Sequence, residues 1–178
     1  TANIDDLIAF GQQYNFEVEQ ISVQEIQDVS ISSTKIRNAL TEGNMALAND
    51  YLGYEYFLTG TVSRGKQLGR TIGFPTANLI IKESEKKKTK IGVYVVKCTL
   101  NQKTLFGMMN IGFNPTVAGE KLSIEVHFFV FYADIYDQKI SVSVLEYLRS
   151  EQKFGSVELL KEQLKKDKDS ALAYLERL

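Results

Sequence analysis

The segment at residues 91–148 decides the fold, because four strand-like runs follow one another there: IGVYVVKCTL (91–100), KTLFGMMNIG (103–112), LSIEVHFFVF (122–131) and KISVSVLEYL (139–148). Each run is rich in β-branched and aromatic residues, and turn-forming pairs separate the runs, including Asn101-Gln102, Asn114-Pro115 and Asp137-Gln138. Successive strands without intervening helices are typical of an antiparallel barrel or sandwich.

The segments on either side of these runs extend the same domain. EYFLTGTVS (55–63) alternates like a further strand, and a glycine-rich stretch follows it. KESEKKKTK (82–90) is a charge run that we interpret as a solvated loop. At the C-terminus, Val157, Leu160 and Leu164 and then Leu172 and Leu175 recur at helical spacing, which predicts terminal helices capped by Ser156.

The first part of the chain has a different sequence pattern, in which helix-like and strand-like segments are mixed. Residues 1–14 and about 45–52 have helical spacing, and FEVEQISV (16–23) is strand-like. Ser32 or Ser33 can begin a further helix that Gly43 ends. Mixed helices and a strand indicate the end of an α/β domain, so we interpret the sequence as a piece of a longer protein.

The composition excludes several classes of protein. The chain has 178 residues, of which 44% are hydrophobic, and its formal net charge of −1 argues against a general nucleic-acid binder. One cysteine excludes an intrachain disulfide framework, and one histidine excludes a multi-histidine metal site. No apolar run reaches the ~18 residues of a membrane span. The N-terminus lacks the pattern of a secretory signal, and the sequence predicts a cytoplasmic protein that does not bind membranes.

Residues 60–67 nearly match a phosphate-binding P-loop. Gly60, Gly65 and Lys66 have the required spacing, but Gln67 stands where the Mg²⁺-binding hydroxyl would be. We expect no helix to follow, because Gly69 and later Gly73 and Pro75 would interrupt it. The sequence therefore argues against a P-loop.

The longer stretch GTVSRGKQLGRTIGFPTANL (60–79) can cradle phosphates in another way. Its glycines allow close approach of backbone amides, and Lys66 and Arg70 add positive charge. Thr76 and Asn78 are two positions apart, so in an extended chain they point the same way and present two hard oxygen ligands for Mg²⁺. The alternative interpretation is an ordinary glycine-rich hairpin.

LSIEVHFFVF places a carboxylate and an imidazole on one face of a strand. Alternation puts Glu125 and His127 together with Phe129 and Phe131, opposite the more aliphatic face. Glu125 is a candidate general base, and the alternative is a surface carboxylate on a half-exposed strand. His127 is better explained as a structural or hydrogen-bonding residue than as a catalyst.

Two further segments have open interpretations. NIGFNPTV (110–117) can form a loop that edges a pocket or a plain hairpin turn. YLRSEQKFGSVELL (147–160) carries Arg149 and Phe154 ahead of the terminal helix, where its charges can be functional or merely solvated.

Taken together, these motifs resemble the riboflavin kinase family. GRTIGFPTANL, GVY, NIG-x-x-PT, EVH, DIY and LR-x-E-x-KF occur in the family's order from about residue 54 to the C-terminus. ISSTKIR (31–37) is similar to the closing motif of the FMN adenylyltransferase domain that precedes the kinase in bacterial bifunctional enzymes. The resemblance therefore implies an adenylyltransferase remnant at 1–53 and a riboflavin kinase domain at 54–178.

The resemblance also implies a fold and an activity. The expected architecture is mainly β, an antiparallel Greek-key barrel with C-terminal helices, preceded by a partial α/β segment. The implied reaction transfers the γ-phosphate of ATP to the 5′-hydroxyl of riboflavin, giving FMN and ADP. The family's small-molecule substrates and Mg²⁺ are the expected ligands, and the sequence does not determine an oligomeric state.

By resemblance, each motif residue takes a role. Glu125 is implied as the catalytic base, and Thr76 and Asn78 as ligands of Mg²⁺ and ATP. The implied roles of the remaining residues are nucleotide binding by Gly65, Arg70 and Asn110, and flavin binding by Arg149 and Phe154.

One motif of the longer bifunctional enzymes is missing. The adenylyltransferase domain needs an early HxGH-type motif, and the only histidine here is His127. We expect no FAD synthesis by this chain, although a full-length parent would have it. The alternative to a kinase is a barrel that binds flavin or nucleotide without turnover, and the joint presence of Thr76, Asn78 and Glu125 favours the enzyme.

Overall fold

The computed structural model describes residues 3–19, 25–26, 29–65, 68–82, 89–116, 119–131 and 133–178. Residues 83–88, which make up most of the charge run at 82–90, lie outside these ranges. The interpretation of that run as a solvated loop therefore falls largely on residues that the structure does not describe. The chain forms two compact units, residues 1–32 and residues 33–178. The assignment of 1–53 and 54–178 to two functional domains stays a prediction.

The described residues of the smaller unit form one helix and two short paired strands. Helix α1, Ile4–Tyr14, begins at Asn3, whose side chain accepts from the Asp6 backbone N–H at 2.9 Å while Asp6 accepts from the Asn3 N–H at 2.8 Å. Strands β1 (Glu25–Ile26) and β2 (Val29–Ser30) pair antiparallel. The predicted helix over 1–14 is confirmed. Of the predicted strand over 16–23, residues 16–19 are not in a strand and the remainder lies outside the described residues.

The larger unit begins with two helices that pack on the barrel. They are α2, Ser33–Glu42, and α3, Met45–Leu52, with Gly43 (φ 79°) turning the chain between them. Leu40 accepts a hydrogen bond from the Lys90 N–H at 3.1 Å, and the Asn49 side-chain amide donates to the Val144 carbonyl at 3.2 Å. These bonds attach both helices to the barrel, so they belong to its compact unit.

Six strands in the described part of the larger unit close into a barrel in which all neighbours are antiparallel. Around the barrel the order is β3, β4, β7, β6, β5, β8, and β8 returns beside β5 after the β5–β6–β7 meander, which is a Greek key. The predicted fold is confirmed. The strands are β3 (Phe57–Ser63), β4 (Ala77–Ile80), β5 (Gly92–Leu100), β6 (Lys103–Thr116), β7 (Gly119–Phe128) and β8 (Lys139–Arg149).

Alternation along the strands separates an interior from an outer face. On β7, Ile124, Val126 and Phe128 are buried inside the barrel, while Glu125 and His127 face outward. The interior is filled mainly by aliphatic side chains, together with Tyr94 and Phe128, so the barrel holds a packed core. Glu125 and His127 therefore lie on the outer side of the barrel wall.

Two helices, α4 (Leu68–Thr71) and α5 (Val157–Leu175), lie on the outer side of the barrel wall. Between β3 and β4, the chain forms the single-turn helix α4, Leu68–Thr71, so the expectation that no helix follows the glycine-rich loop is wrong. The Phe74 N–H donates to the Gly69 carbonyl at 2.7 Å, and a Cβ at Gly69 would overlap the Phe74 carbonyl. Glycine thus permits this turn instead of breaking it.

The C-terminal segment is a single helix, α5, spanning Val157–Leu175, so the expectation of more than one terminal helix is wrong, whereas the N-cap is Ser156 as predicted. Its face packs on the outer side of the barrel, where Leu160 and Leu164 join a second apolar cluster with Ile72, Phe74, Val93 and Met108. This cluster forms a wall of the cavity described below.

The predicted turn at Asn114-Pro115 is wrong. Strand β6 continues to Thr116, and Pro115 pairs with Glu120 near the end of the hairpin. Proline cannot donate to a strand ladder, but it is tolerated near strand ends and edges.

None of the helices within the described ranges combines the length and apolarity that crossing a bilayer requires. The cytoplasmic location stays a prediction.

Candidate active site

A cavity lies between the outer wall of the barrel and helix α5. Its volume is about 640 Å³. Apolar side chains from the second cluster line one part of it, and polar side chains from β4, β6, β7 and β8 line the other. A mostly apolar cleft with a few polar groups is the usual form of a small-molecule site.

Glu125 and Thr76 meet in the polar part of this cavity. Thr76 Oγ1 donates a hydrogen bond to Glu125 Oε2 at 3.2 Å. The antiparallel pairing of β4 with β7 places Asn78 directly opposite Glu125 and Ala77 opposite Val126. Thr76, Asn78 and Glu125 all line the cavity, so the sheet register brings together the three side chains that the sequence singled out.

Gly65 lies directly against the Asn78 carboxamide. A Cβ at Gly65 would overlap Asn78 Nδ2, so any side chain at this position would displace the amide. The hydroxyl of Thr76, the amide of Asn78 and the carboxylate of Glu125 are hard oxygen donors of the type that Mg²⁺ prefers. Within the described ranges, no group of three or more acidic, histidine or cysteine side chains is placed so that it could hold a metal ion.

A second cavity of about 380 Å³ opens on the other side of Thr76. Thr76 lines both cavities, and Arg70 lines the second. The aromatic rings of Phe131 and Tyr136 also line it, and the Arg64 guanidinium lies 4.9 Å from the centre of the Tyr136 ring. The second cavity thus combines a cation with flat apolar surfaces beside the Thr76 hydroxyl.

His127 is buried next to this group, with 7% of its surface exposed. Its Nδ1 is 2.8 Å from the Pro75 carbonyl oxygen, and its ring packs between Phe74 and Phe129. Burial lowers the pKa of His127 below its ordinary 6.5, the bond to Pro75 acts in the opposite direction, and the Lys168 charge lowers the pKa further. The interpretation of His127 as a hydrogen-bonding residue agrees with this geometry.

Arg149, at the end of β8, is held by α5. Its Nε and Nη2 donate to the two carboxylate oxygens of Asp167 at 2.7 and 2.6 Å, and Gln163 donates to the same carboxylate at 2.8 Å. Asp167 is 3% exposed. The Arg149 guanidinium lies 5.9 Å from the centre of the Phe154 ring, and both residues line the larger cavity.

Asn110 lies in the wall of the larger cavity on β6, paired with Glu125 of β7. Arg149 and Phe154 line the same cavity, as do Thr76 and Asn78, and the role of Asn110 in nucleotide binding stays a prediction. Nearby, the Glu151 carboxylate accepts a hydrogen bond from the Phe113 N–H at 3.2 Å.

The structure brings seven of the eight predicted site residues to one cavity. These are Gly65, Thr76, Asn78, Asn110, Glu125, Arg149 and Phe154, whereas Arg70 lines the second cavity. Sequence reasoning missed Asp167 and assigned no role to Glu151. A signal for Asp167 exists, because it lies in the helical stripe between Leu164 and Ala171 where an apolar residue is expected.

Comparison with known proteins decides the family. The family model for riboflavin kinase (Flavokinase) matches residues 52–175. This chain belongs to the riboflavin kinase family. It carries a riboflavin kinase domain, and the family predicted from the sequence motifs is confirmed.

The relatives support the same assignment. The bifunctional riboflavin kinase/FMN adenylyltransferase of Listeria monocytogenes is 43% identical over 92% of this chain. The chain spans about half the length of the curated relatives it matches, 52% in this case.

Solved structures agree on the fold. The riboflavin kinase from Trypanosoma brucei has a TM-score of 0.50 and 25% identity, and the match covers 67% of this chain and 79% of that protein. A crystal structure described as a macrolide-efflux protein from Streptococcus pneumoniae has a TM-score of 0.78 and 36% identity, covering 94% of this chain and 54% of that one. The latter name applies to that protein alone.

Proposed function

We propose that this chain transfers the γ-phosphate of ATP to the 5′-hydroxyl of riboflavin, giving FMN and ADP. The observation that carries the proposal is the meeting of Thr76, Asn78 and Glu125 beside two cavities that share Thr76. Phosphoryl transfer needs a donor and an acceptor held in line with charge neutralisation between them. Two adjoining cavities with oxygen ligands and a carboxylate at their junction supply these parts.

The two substrates fit different cavities. The larger one has the apolar walls that an isoalloxazine ring needs, with Arg149 and Phe154 beside them. The smaller one has Arg70 for phosphate oxygens and the rings of Phe131 and Tyr136 for a base. We therefore place riboflavin in the larger cavity and ATP in the smaller, with the γ-phosphate near Thr76.

Glu125 is the base in this arrangement. The ribityl 5′-oxygen attacks the γ-phosphorus while its proton passes to the Glu125 carboxylate, and the bond from the γ-phosphorus to the leaving oxygen of ADP breaks. General-base assistance of this kind is typically worth about 10²–10⁴ in rate. The hydrogen bond from Thr76 orients the carboxylate before substrate binds.

Mg²⁺ is part of the proposal. Thr76 and Asn78 would hold the ion, and Gly65 leaves the room that the Asn78 amide occupies. When bound, Mg²⁺ neutralises charge on the phosphate oxygens. Gly65 and Arg70 both belong to the glycine-rich stretch 60–79, whose glycines would allow backbone amides to approach the phosphates closely.

The test is formation of FMN from riboflavin, ATP and Mg²⁺, with the flavins separated by chromatography. FMN formation supports the kinase. Folded protein that binds flavin and never forms FMN would instead support a non-catalytic binding barrel.

The relatives' name includes a second activity, FMN adenylyltransferase, and this chain spans about half of their length. We propose that a full-length parent has FMN adenylyltransferase activity, and we expect no FAD from this chain, because the HxGH-type motif is missing from its sequence. Detection of FAD with this chain would contradict that expectation.

A further inference from the structure

Strand β7 holds the Pro75–Thr76 segment at two points. Glu125 accepts a hydrogen bond from Thr76 Oγ1 at 3.2 Å, and His127 Nδ1 lies 2.8 Å from the Pro75 carbonyl oxygen. Glu125 and His127 are two positions apart on the outer face of the strand. Two neighbouring residues of the loop are therefore tied to two neighbouring outward-facing residues of one strand.

The direction of the His127 bond follows from its acceptor. A carbonyl oxygen only accepts, so Nδ1 carries the hydrogen and donates it. The ring cannot easily turn away, because its centroid lies 5.2 Å from that of Phe74 and 6.0 Å from that of Phe129. The donor is thus held in place by packing on both sides.

The acceptor is the oxygen of the peptide unit that joins Pro75 to Thr76. The peptide is planar, and the proline ring already fixes φ of Pro75. A hydrogen bond to this oxygen therefore fixes the rotation of the whole peptide plane. That plane determines how the Thr76 backbone enters β4, and with it the direction of the Cα–Cβ bond that carries the hydroxyl.

We propose that His127 is a positioning residue for Thr76, acting through the Pro75 carbonyl to aim the threonine hydroxyl at the nucleotide-bound cation. The identity of the cation and nucleotide rests on the proposed function. The hold on the Pro75–Thr76 peptide rests on the geometry alone. His127 itself touches neither the nucleotide nor the phosphate in this account.

Three variants of His127 separate the donor from the ring. His127→Phe keeps a ring between Phe74 and Phe129 and removes the donor. His127→Asn places an amide N–H near the Nδ1 position, and His127→Gln places it near Nε2, out of reach of Pro75. Val142→Ala, which creates a cavity in the barrel interior away from both site cavities, is the matched control for lost stability.

The first readout is ADP binding by calorimetry with Mg²⁺ and with EDTA. We expect the Mg²⁺-dependent gain in affinity to fall about tenfold in His127→Phe and His127→Gln, which is the upper end of what one lost hydrogen bond contributes. His127→Asn should recover most of the gain, and Val142→Ala should keep it. The second readout is hydrogen exchange of residues 76–78, which should accelerate in the Phe and Gln variants beyond the change in Val142→Ala.

The outcomes distinguish this inference from the proposed function. If Mg²⁺ raises the ADP affinity of the wild type and of every His127 variant equally, the positioning role alone is overturned. Wild-type protein without any such gain would overturn the proposed cation site and the inference together. If the Phe variant does not fold, the contrast between Asn and Gln decides, since equal behaviour of these two contradicts a donor at the Nδ1 position.

Discussion

Thr76 Oγ1 donates to Glu125 Oε2 over 3.2 Å, although the two residues are 49 positions apart in the chain. The contact exists because β4 pairs with β7 in a register that sets Asn78 opposite Glu125. A candidate cation ligand and a candidate base therefore share one hydrogen bond on the outer wall of the barrel. The chemistry we propose depends on this junction between the two cavities.

The Thr76 hydroxyl is the most direct test of the cation site. Thr76→Val keeps the shape of the side chain and removes the oxygen, so we expect the Mg²⁺ concentration for half-maximal activity to rise at least about tenfold. Thr76→Ser restores the hydroxyl and should recover most of the loss. Equal Mg²⁺ dependence in the wild type and Thr76→Val would show that the Thr76 hydroxyl does not bind the cation.

Gly65 should not tolerate a side chain. A Cβ at this position would overlap the Asn78 amide, so Gly65→Ala should displace Asn78 and raise KM for ATP with Mg²⁺ by about tenfold or more. Gly155→Ala is the matched control, because nothing lies within 4 Å of a Cβ there. Steady-state kinetics of both variants give KM for ATP. Similar values of this KM in the two variants would contradict the conclusion that Gly65 leaves room for the Asn78 amide.

The Arg149–Asp167 pair should contribute to stability and to flavin binding. Removing the buried Asp167 carboxylate in Asp167→Ala leaves Arg149 without its partner, and we expect a loss of about 2–4 kcal/mol in the free energy of unfolding. KM for riboflavin should rise while KM for ATP stays nearly constant, since Arg149 lines the larger cavity.

A matched control exists on the surface. Glu55 and Lys97 form an ion pair at 2.6 Å with side chains 36% and 35% exposed, so Glu55→Ala should cost at most about 1 kcal/mol. Urea unfolding measures both variants. An equal cost for the exposed and the buried pair, or equal shifts in both KM values for Asp167→Ala, would refute this account of Arg149.

The stability of the protein should depend on pH through His127. Burial and Lys168 lower the pKa of His127 in the folded state, with the Pro75 bond opposing them, so the unfolded chain gains a proton near its ordinary pKa of 6.5 while the folded chain does not. The free energy of unfolding should therefore fall as pH drops below about 6.5, by at most about 1.4 kcal/mol per pH unit, and this loss levels off below the folded pKa.

His127 is the only histidine in the chain, and its removal isolates the effect. Urea unfolding of the wild type and His127→Asn across about pH 5–8 gives a difference curve in which the other titrating groups cancel. The wild type should lose stability relative to the variant as pH falls. A flat difference curve would contradict the lowered pKa.

Much of the fold could be predicted because local patterns determine it. Alternation along 91–148 marks the strands, and alternation on β7 separates the buried Ile124 and Val126 from the outward-facing Glu125. The spacing of two between Thr76 and Asn78 places both on one face. The turn at Asn114-Pro115 was predicted wrongly, because a proline near a strand end has the same local signal as a proline in a turn.

The remaining parts of the site depend on contacts between distant segments. Nothing local to His127 indicates that its partner is the Pro75 carbonyl, 52 positions away. Asp167 is an acidic residue in an apolar helical stripe, which signals burial but not the identity of Arg149 as its partner. Arg70 and Asn110 likewise line different cavities, because Arg70 belongs to the α4 turn between β3 and β4 whereas Asn110 belongs to β6.

The central claim is that Glu125 accepts the proton of the riboflavin 5′-hydroxyl at the Thr76 junction. The most direct measurement compares the rate of FMN formation by the wild type and by Glu125→Gln at saturating riboflavin, ATP and Mg²⁺, with riboflavin binding measured in parallel. We predict FMN from the wild type, a loss of about 10²–10⁴ in kcat for the variant, and riboflavin affinity within about threefold of the wild type. FMN formation by Glu125→Gln at the wild-type rate would contradict the claim.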